Sequence, residues 1–451
     1  MAERRTRILT AALAAGVAVA FADSSIVVLA LPDLYGEFDT SLVGVSWVIT
    51  AYNLVVAVTA FSLVPFSRRL RPAPLGIAGS VLFAVGSAGC ASAWSLDVLI
   101  GFRCLQGFGG AFLLVGALRG LAALTGSALR GAAVWTSAGT VGAAAGPALG
   151  GVLTQLFDWR AIFVVQVPLG LVALAAFLDA RVRGLGRETA SGEGRGHAYA
   201  ADAGIGLVFG ALVGALFLSV LLVITVWSVE PVLGALVVSA LPAATLAVRP
   251  LRARLPTRTA SIGGALLLAG GLVALALLPR ISELLVAAAL AFCGAGLGLA
   301  VPALTSVALD PEKRATRSGL VTVGARHAGL VLALALVEPL LSQTLEGSDD
   351  KALRAGAQTV LEGDIELRQK VPIAFDLRTK LEEAKRGEVP DLAEPFDRRG
   401  AATDERLRRL RDELVTTLES VVTRGFRSSF FLSALLALLA VVPASRLRRA
   451  E

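Results

Sequence analysis

Long apolar runs alternate along this chain with short breaks that hold charge and proline. Runs of about 20 apolar residues are long enough to cross a hydrocarbon core of about 30 Å as α-helix. They recur over residues 8–31, 43–66, 73–94, 97–119, 131–156 and 161–179. After a polar stretch they resume over 205–228, 230–248, 260–279, 283–308, 318–342 and 427–444. Breaks such as "SRRLRPAP" and "RPLRARLPTR" combine proline, which ends helices, with arginine, which stays in water. The pattern predicts an all-α membrane protein with twelve transmembrane helices in two six-helix bundles.

Two polar segments interrupt the rhythm. Residues 181–204, "RVRGLGRETASGEGRGHAYAADAG", are rich in Gly, Arg and Ala and read as a flexible cytoplasmic linker. Residues 343–426 carry 15 Lys and Arg and 18 Asp and Glu, too many charges for the bilayer. They read as an extracytoplasmic helical insertion between helices 11 and 12. Its last part, "TDERLRRLRDELVTTLESVVTRGF", opens on an N-cap signal at Thr403 followed by Asp404 and Glu405. Leu407, Leu410, Leu414, Leu418 and Val421 then form one apolar stripe, in a helix that runs almost directly into the last span. "LEGDIELRQKV" and "AFDLRTKLEEAKRG" read as two helices separated by Pro372. The expected division is 1–180 for the N-terminal bundle, 181–204 for the linker and 205–342 for helices 7–11. The insertion, 343–426, and the last helix with its tail, 427–451, complete it.

Composition agrees with the pattern. Of the 451 residues 55% are hydrophobic and 17% charged, with a mean hydropathy of +0.73; a soluble domain carries roughly a quarter charged residues. The net charge of +7 is not a nucleic-acid footprint, because the charges sort by side. Basic residues crowd the breaks near positions 4–7, 68–71, 181–195, 249–258, 313–317 and 446–449, while the opposite short loops offer only Arg160 and Arg280. That asymmetry predicts a multi-pass protein of the cell (inner) membrane with both termini cytoplasmic, which an even number of spans requires. A basic start and an A-x-A at Ala18–Ala20 resemble a signal peptide, but the apolar run continues through Leu31, too long for one. The bias toward Ala, Gly, Leu and Arg suggests a GC-rich bacterial genome.

Metal and enzyme chemistry are absent from the motifs. Cys90, Cys104 and Cys293 fall inside predicted spans, and His197 and His327 lie far apart. There is no phosphate-cradling glycine–lysine loop and no nucleophile–base motif. No cofactor, no metal and no enzymatic activity are expected.

The residues that carry chemistry are those that break the apolar pattern. Asp23 sits within "VAFADSSIVVLALP", where a carboxylate at bilayer depth costs about 2.5–3.5 kcal/mol on insertion scales. It reads either as a protonatable site or as a structural tie to a neighbouring helix, with Ser24 and Ser25 as hydroxyl company. Arg103, in "IGFRCLQGFGGA", lies some six residues into the fourth span, with Gln106 one turn on. It reads either as snorkelling to the outer surface or as a partner for a nearby carboxylate. The fifth span holds "GTVGAAAGPALGG", in which Gly142, Gly146, Gly150 and Gly151 allow close helix approach and Pro147 removes a backbone donor. "CGAGLGLAVP", residues 293–302, places a similar stripe in the tenth span.

In this order the motifs resemble the drug:proton antiporter branch of the major facilitator superfamily. "ADSSIVVLALPDL" and "SWVITAYNLVVAV" resemble its opening, with the first-helix acidic residue at Asp23. "FRCLQGFGGA" resembles its fourth-helix motif, and the resemblance gives Arg103 a part in proton coupling. "GTVGAAAGPALGG" with "DWRAIFVVQVPLGL" resembles its antiporter motif, and "EKRATRSGLVTVGARHAG" the approach to its penultimate helix. Two features depart from the family. The loop after the second span, "VPFSRRLRPAP", has Arg68 where an aspartate that latches the inward gate is expected, and Val64 in place of glycine. The linker is also too short and polar for the two extra helices of the fourteen-helix members.

The resemblance implies a secondary transporter that exports small amphipathic compounds in exchange for protons. Asp23 and Arg103 would couple protons, Gly146 and Pro147 would shape the antiporter helix, and Tyr52, Asn53, Gln106, Gln166 and Arg326 are candidates to line the cavity. Two other readings stay open: an envelope lipid exporter or flippase, and a non-transporting sensor or assembly factor. Expected partners are an amphipathic or lipid-like substrate, protons, the bilayer and an envelope protein at 343–426, with no nucleic acid.

Overall fold

A computed structural model describes residues 2–40, 42–188, 199–278, 281–312, 314–383, 396, 398, 399, 401 and 404–447. The protein is a multi-pass helical membrane protein. Among the described residues, ten helices are long and apolar enough to cross a membrane. The first set comprises α1 (Ala2–Ile26), α2 (Leu42–Leu63), α3 (Pro72–Ala91), α4 (Leu96–Thr125), α5 (Ala128–Leu156) and α6 (Ala161–Phe177). The second comprises α7 (Tyr199–Val226), α8 (Pro231–Ala247), α9 (Thr257–Ala276), α10 (Glu283–Ala308) and α11 (Ala315–Glu362). α12 (Leu367–Glu383), α13 (Glu405–Gly425) and α14 (Arg427–Leu439) follow. α13 and α14 count as one of the ten; outside them are the charged α12, the short α6, and α5, where Gly, Ser and Thr dilute the hydropathy over 29 residues.

Local chemistry sets several helix ends. The side chains of Ser95, Ser127 and Ser282 each accept the backbone N–H three residues on, capping α4, α5 and α10. Gly126, at φ +66°, closes α4 in the left-handed conformation that glycine adopts without strain. Past Val213, α7 loosens into two π-helical turns, Gly214–Leu218 and Leu221–Val226, with every side chain of the first buried.

Packing follows the small residues. α1 lies against α5 and α6, and α3 against α4 and α6; in the second set α10 packs on α8 and α9, and α7 on α11. The two sets meet where α11 crosses α2 and α4 and where α5 crosses α8 and α10. The α1–α5 seam is a backbone contact. A Cβ on Gly142 would collide with the Ala18 carbonyl, one on Gly146 with Ser25 Oγ, and one on Gly150 with the Ile26 carbonyl. Gly151 turns the other way, toward Ala235 of α8 and Leu29. α5 runs on through Pro147 without interruption. α10 repeats the device, with Gly294 and Gly298 against the carbonyls of Leu241 and Thr245 on α8.

The charged segment near the C-terminus is helical and has its own core. α11 does not stop at position 342: its 48 residues form one helix, roughly 70 Å long at 1.5 Å per residue, so it projects well beyond a bilayer. α12 and α13 pack on that projecting part. Leu407, Leu410, Leu414 and Leu418, the stripe read from the sequence, are buried with Ala352, Val360, Ile373 and Leu377. Pro372 does not separate two helices. It lies inside α12, exposed, near the helix start, where it removes only one backbone donor. Thr403 and residues 189–198 and 384–395 lie outside the described residues; Asp404 caps α13 by accepting the Arg406 N–H.

Candidate functional site

The polar residues of the first set of helices converge on one buried cluster. Asp23 on α1 and Arg103 on α4 both have no exposed side-chain surface, and Arg103 Nη1 donates to Asp23 Oδ2 at 2.5 Å. The same Nη1 lies 2.6 Å from Gln106 Oε1, and Arg103 Nε donates to the Val48 carbonyl of α2 at 2.7 Å. Gln106 Nε2 reaches Asp23 Oδ1 at 3.1 Å and lies 2.8 Å from both Ser87 Oγ and Gln166 Oε1. Tyr52 spreads its ring under the Arg103 guanidinium, 4.6 Å from centroid to Cζ, and donates its hydroxyl to the Ala20 carbonyl. A guanidinium keeps its charge, so Asp23 is the compensating ion that makes this burial tolerable. Arg103 does not snorkel outward, and Ser24 and Ser25 do not serve Asp23. Their hydroxyls donate to Asn53 Oδ1 and to the Ala22 and Ala143 carbonyls instead.

A second cluster joins the two sets of helices. Asn53 Oδ1 on α2 accepts from Ser24 on α1 at 2.9 Å and lies 2.7 Å from His327 Nδ1 on α11. Nearer the far end, Ser46 on α2 donates to Glu338 on α11 at 2.6 Å. At the basic end, Glu188 Oε1, in the segment that follows α6, accepts the Thr316 N–H in the first turn of α11 at 3.2 Å. Burial pushes the Glu188 carboxyl up, against the Thr316 N–H and Arg119, which favour its charged form. Leu118 also faces Gly319 there. The two sets therefore touch at both ends of the helices.

Between these contacts lies a small cavity of about 30 Å³. Phe21, Ser24, Ser25, Val28, Ile49 and Ala143 line it from the first set, and Phe209, Leu212, Leu216, Arg326, Leu330 and Leu334 from the second. Of the residues singled out in the sequence as cavity candidates, Arg326 lines it. Tyr52, Gln106 and Gln166 are packed around Arg103 behind α1, and Asn53 is spent in its bonds to Ser24 and His327. The cavity wall is mostly aliphatic because the polar groups of α2, α4 and α6 satisfy one another inside their own set.

Sequence reasoning gave no site role to His327 or Phe21 and passed over Glu338, Phe209 and Glu188. Glu338 carried a readable signal, a carboxylate inside an apolar span, as Asp23 does. Glu188 carried none, since one glutamate in a charged linker is unremarkable until folding sets it beside α11.

A sequence profile described as Major Facilitator Superfamily matches residues 13–334 of this chain. The chain belongs to the Major Facilitator Superfamily. Among curated members it is similar to the tetracenomycin C resistance and export protein of Streptomyces glaucescens, 34% identical over 170 residues. That stretch is 37% of this chain and 31% of the relative. It is also similar to the methylenomycin A resistance protein of Bacillus subtilis (strain 168), 32% identical over 36% of this chain and 35% of the relative. The multidrug resistance protein Stp of Mycobacterium tuberculosis (strain ATCC 25618 / H37Rv) is 33% identical over 38% and 32%. The match thus spans about a third of the length of these relatives. They are drug- and antibiotic-resistance proteins, the branch that the sequence motifs resemble. Among solved structures, a bacterial homologue of the human lysosomal transporter Spinster, inward-facing and occupied, superposes with a TM-score of 0.64 at 16% identity. It covers 99% of this chain and 98% of that one. The proton:xylose symporter XylE superposes at 0.56 with 13% identity, over 74% and 88%. At such identities the superfamily fold is what is shared.

Proposed function

We propose that this superfamily member is a proton-coupled secondary transporter that exports small amphipathic compounds by alternating access. The observation that carries the reading is the fully buried Asp23–Arg103 ion pair, whose carboxylate has no other cation within an ion-pair distance among the described residues. Protonating Asp23 removes the charge that compensates Arg103 and leaves a buried cation, an unfavourable state that favours rearrangement of α1 against α4. Because α1 is clamped backbone to backbone on α5, a shift of α1 carries Gly142, Gly146, Pro147 and Gly150 with it. α5 in turn borders α8 and α10 of the other set, so proton uptake is linked to the contacts that close the cavity.

In this reading α1–α10, the apolar part of α11 and α14 make twelve spans, with two six-helix bundles at 1–180 and 205–342 plus 427–451. Both termini are cytoplasmic in the inner membrane. Residues 343–426 stand outside, where an envelope protein could dock. Protons enter from outside to release the exported compound, and loss of the proton inward resets the pump. The aliphatic wall of the cavity supports a second reading, export of an envelope lipid by the same cycle.

The test is transport by purified protein in liposomes under an imposed pH gradient, comparing wild type with Asp23→Asn. Lipophilic cationic and anionic dyes and a labelled lipid serve as cargoes. Gradient-driven dye movement that Asp23→Asn abolishes supports proton-coupled export; an unaffected rate in the variant removes Asp23 from coupling. Lipid movement without dye movement favours the second reading.

A further inference from the structure

Arg326 is the charge that this mechanism leaves unused. Its side chain is 5% exposed, lies on α11 at the centre of the contact between the two sets, and lines the central cavity. It also lines a smaller adjoining space that holds Thr136, Thr140 and Thr305. Among the described residues no carboxylate forms an ion pair with it; Asp23, the acid on the facing helix, is held by Arg103. Its guanidinium is sandwiched between the rings of Phe21 and Phe209, at 3.7 and 4.0 Å from their centroids. Among the described residues its one hydrogen bond is a long one, Nη2 to the Phe21 carbonyl at 3.4 Å, and Nε has no partner.

Cation–π contacts hold a guanidinium flat and fix its direction, but they do not neutralise it. A buried, permanently charged group without a counter-ion is costly unless an anion joins it. The planar fork that the two rings hold in place matches the geometry of a carboxylate or phosphate. On the other side of Arg326 the cavity wall is aliphatic, from Val28 and Ile49 to Leu330 and Leu334. One cation beside an apolar chamber is complementary to one negative head on an apolar tail.

We propose that Arg326 is the head-group site of this transporter and that its cargo is an amphiphilic oxyanion, a carboxylate or phosphate carried on an apolar tail. This deepens the export reading and rests on the central cavity being the cargo cavity. It does not rest on Asp23 as the coupling group.

The test is equilibrium binding to the full chain in lipid nanodiscs, with no pH gradient. Probes share a tail length: a fluorescent fatty acid, its methyl ester, a lysophosphatidic acid and an alkyl-trimethylammonium. Wild type should bind the two anions at least tenfold more tightly than the ester and the cation, and their ranking identifies carboxylate or phosphate. Arg326→Gln should bring anion affinity down to that of the ester, and Arg326→Lys should restore part of it. Because binding is read without a pH gradient, failure of proton coupling in the liposome assay and failure of this proposal are read separately. Equal wild-type affinity for anion, ester and cation overturns the proposal, as does an Arg326→Gln variant that keeps the anion preference. If Arg326→Gln does not fold, the wild-type ranking decides.

Discussion

Arg103 and Asp23, 80 residues apart in sequence, meet in a 2.5 Å ion pair from which solvent is excluded. Removing one partner strands the other. Arg103→Gln or Asp23→Ala should each lower stability by about 3–5 kcal/mol, the usual cost of an uncompensated buried charge. The double variant should lose less than the sum of the two. Thermal unfolding in detergent of wild type, both singles and the double closes the cycle; strict additivity would show that the pair is not a coupled unit.

The α1–α5 seam leaves no room for a side chain. Gly142→Leu, which drives a side chain into the Ala18 carbonyl, should cost at least the 1–3 kcal/mol typical of overpacking, because the obstacle is backbone. Gly36→Leu, where nothing lies within 4 Å of a new Cβ, is the control and should be near neutral in the same unfolding assay.

Glu188 closes the basic end by accepting the Thr316 N–H. Glu188→Ala should weaken that contact by roughly 1.5–3 kcal/mol, the range for a hydrogen bond to a charged group. Spin-label distances across the basic end should then broaden toward longer values. The pH dependence has a definite sign. The carboxyl in the closed contact titrates above the ordinary glutamate value of 4.5, so the closed form binds its proton more tightly than an open form with Glu188 in water. Acidification through that raised value therefore favours closure, and Glu188→Ala should remove this dependence. Distances that shorten at neutral pH and lengthen in acid would reverse the assignment.

The projecting helices carry their own core, in which Leu414 is fully buried against residues of α11 and α12. Leu414→Ala should cost about 2–5 kcal/mol locally. Limited proteolysis of α12 and α13 should accelerate, while dye transport in liposomes continues if these helices are not part of the cycle. Phe375→Ala, at a side chain 70% exposed, should leave proteolysis unchanged.

Much of this protein was legible in its pattern of residues. Runs of about 20 apolar residues allow only helices in a bilayer, because a backbone without water must satisfy its own hydrogen bonds. The stripe from Leu407 to Leu418 likewise dictated a buried helix face in a segment too charged for lipid. Asp23 and Arg103 stood out because charge is costly where they sit. Which groups answer them was not written in the sequence. The serines beside Asp23 were as good a guess as Arg103 until α1, α2, α4 and α6 were assembled and Gln106 and Gln166 turned inward to the pair. Tyr52 and both glutamines read as cavity lining for the same reason, since a polar residue in a span faces either a cavity or another polar residue. Only packing chooses between them. Tertiary structure alone set Glu188 at the start of α11, ran α11 through position 342, and left Arg326 beside two phenylalanines with no acid paired to it among the described residues. The first and last depend on contacts across more than a hundred residues, and the second on packing against α12 and α13; helical periodicity says which face is apolar but not what lies against it.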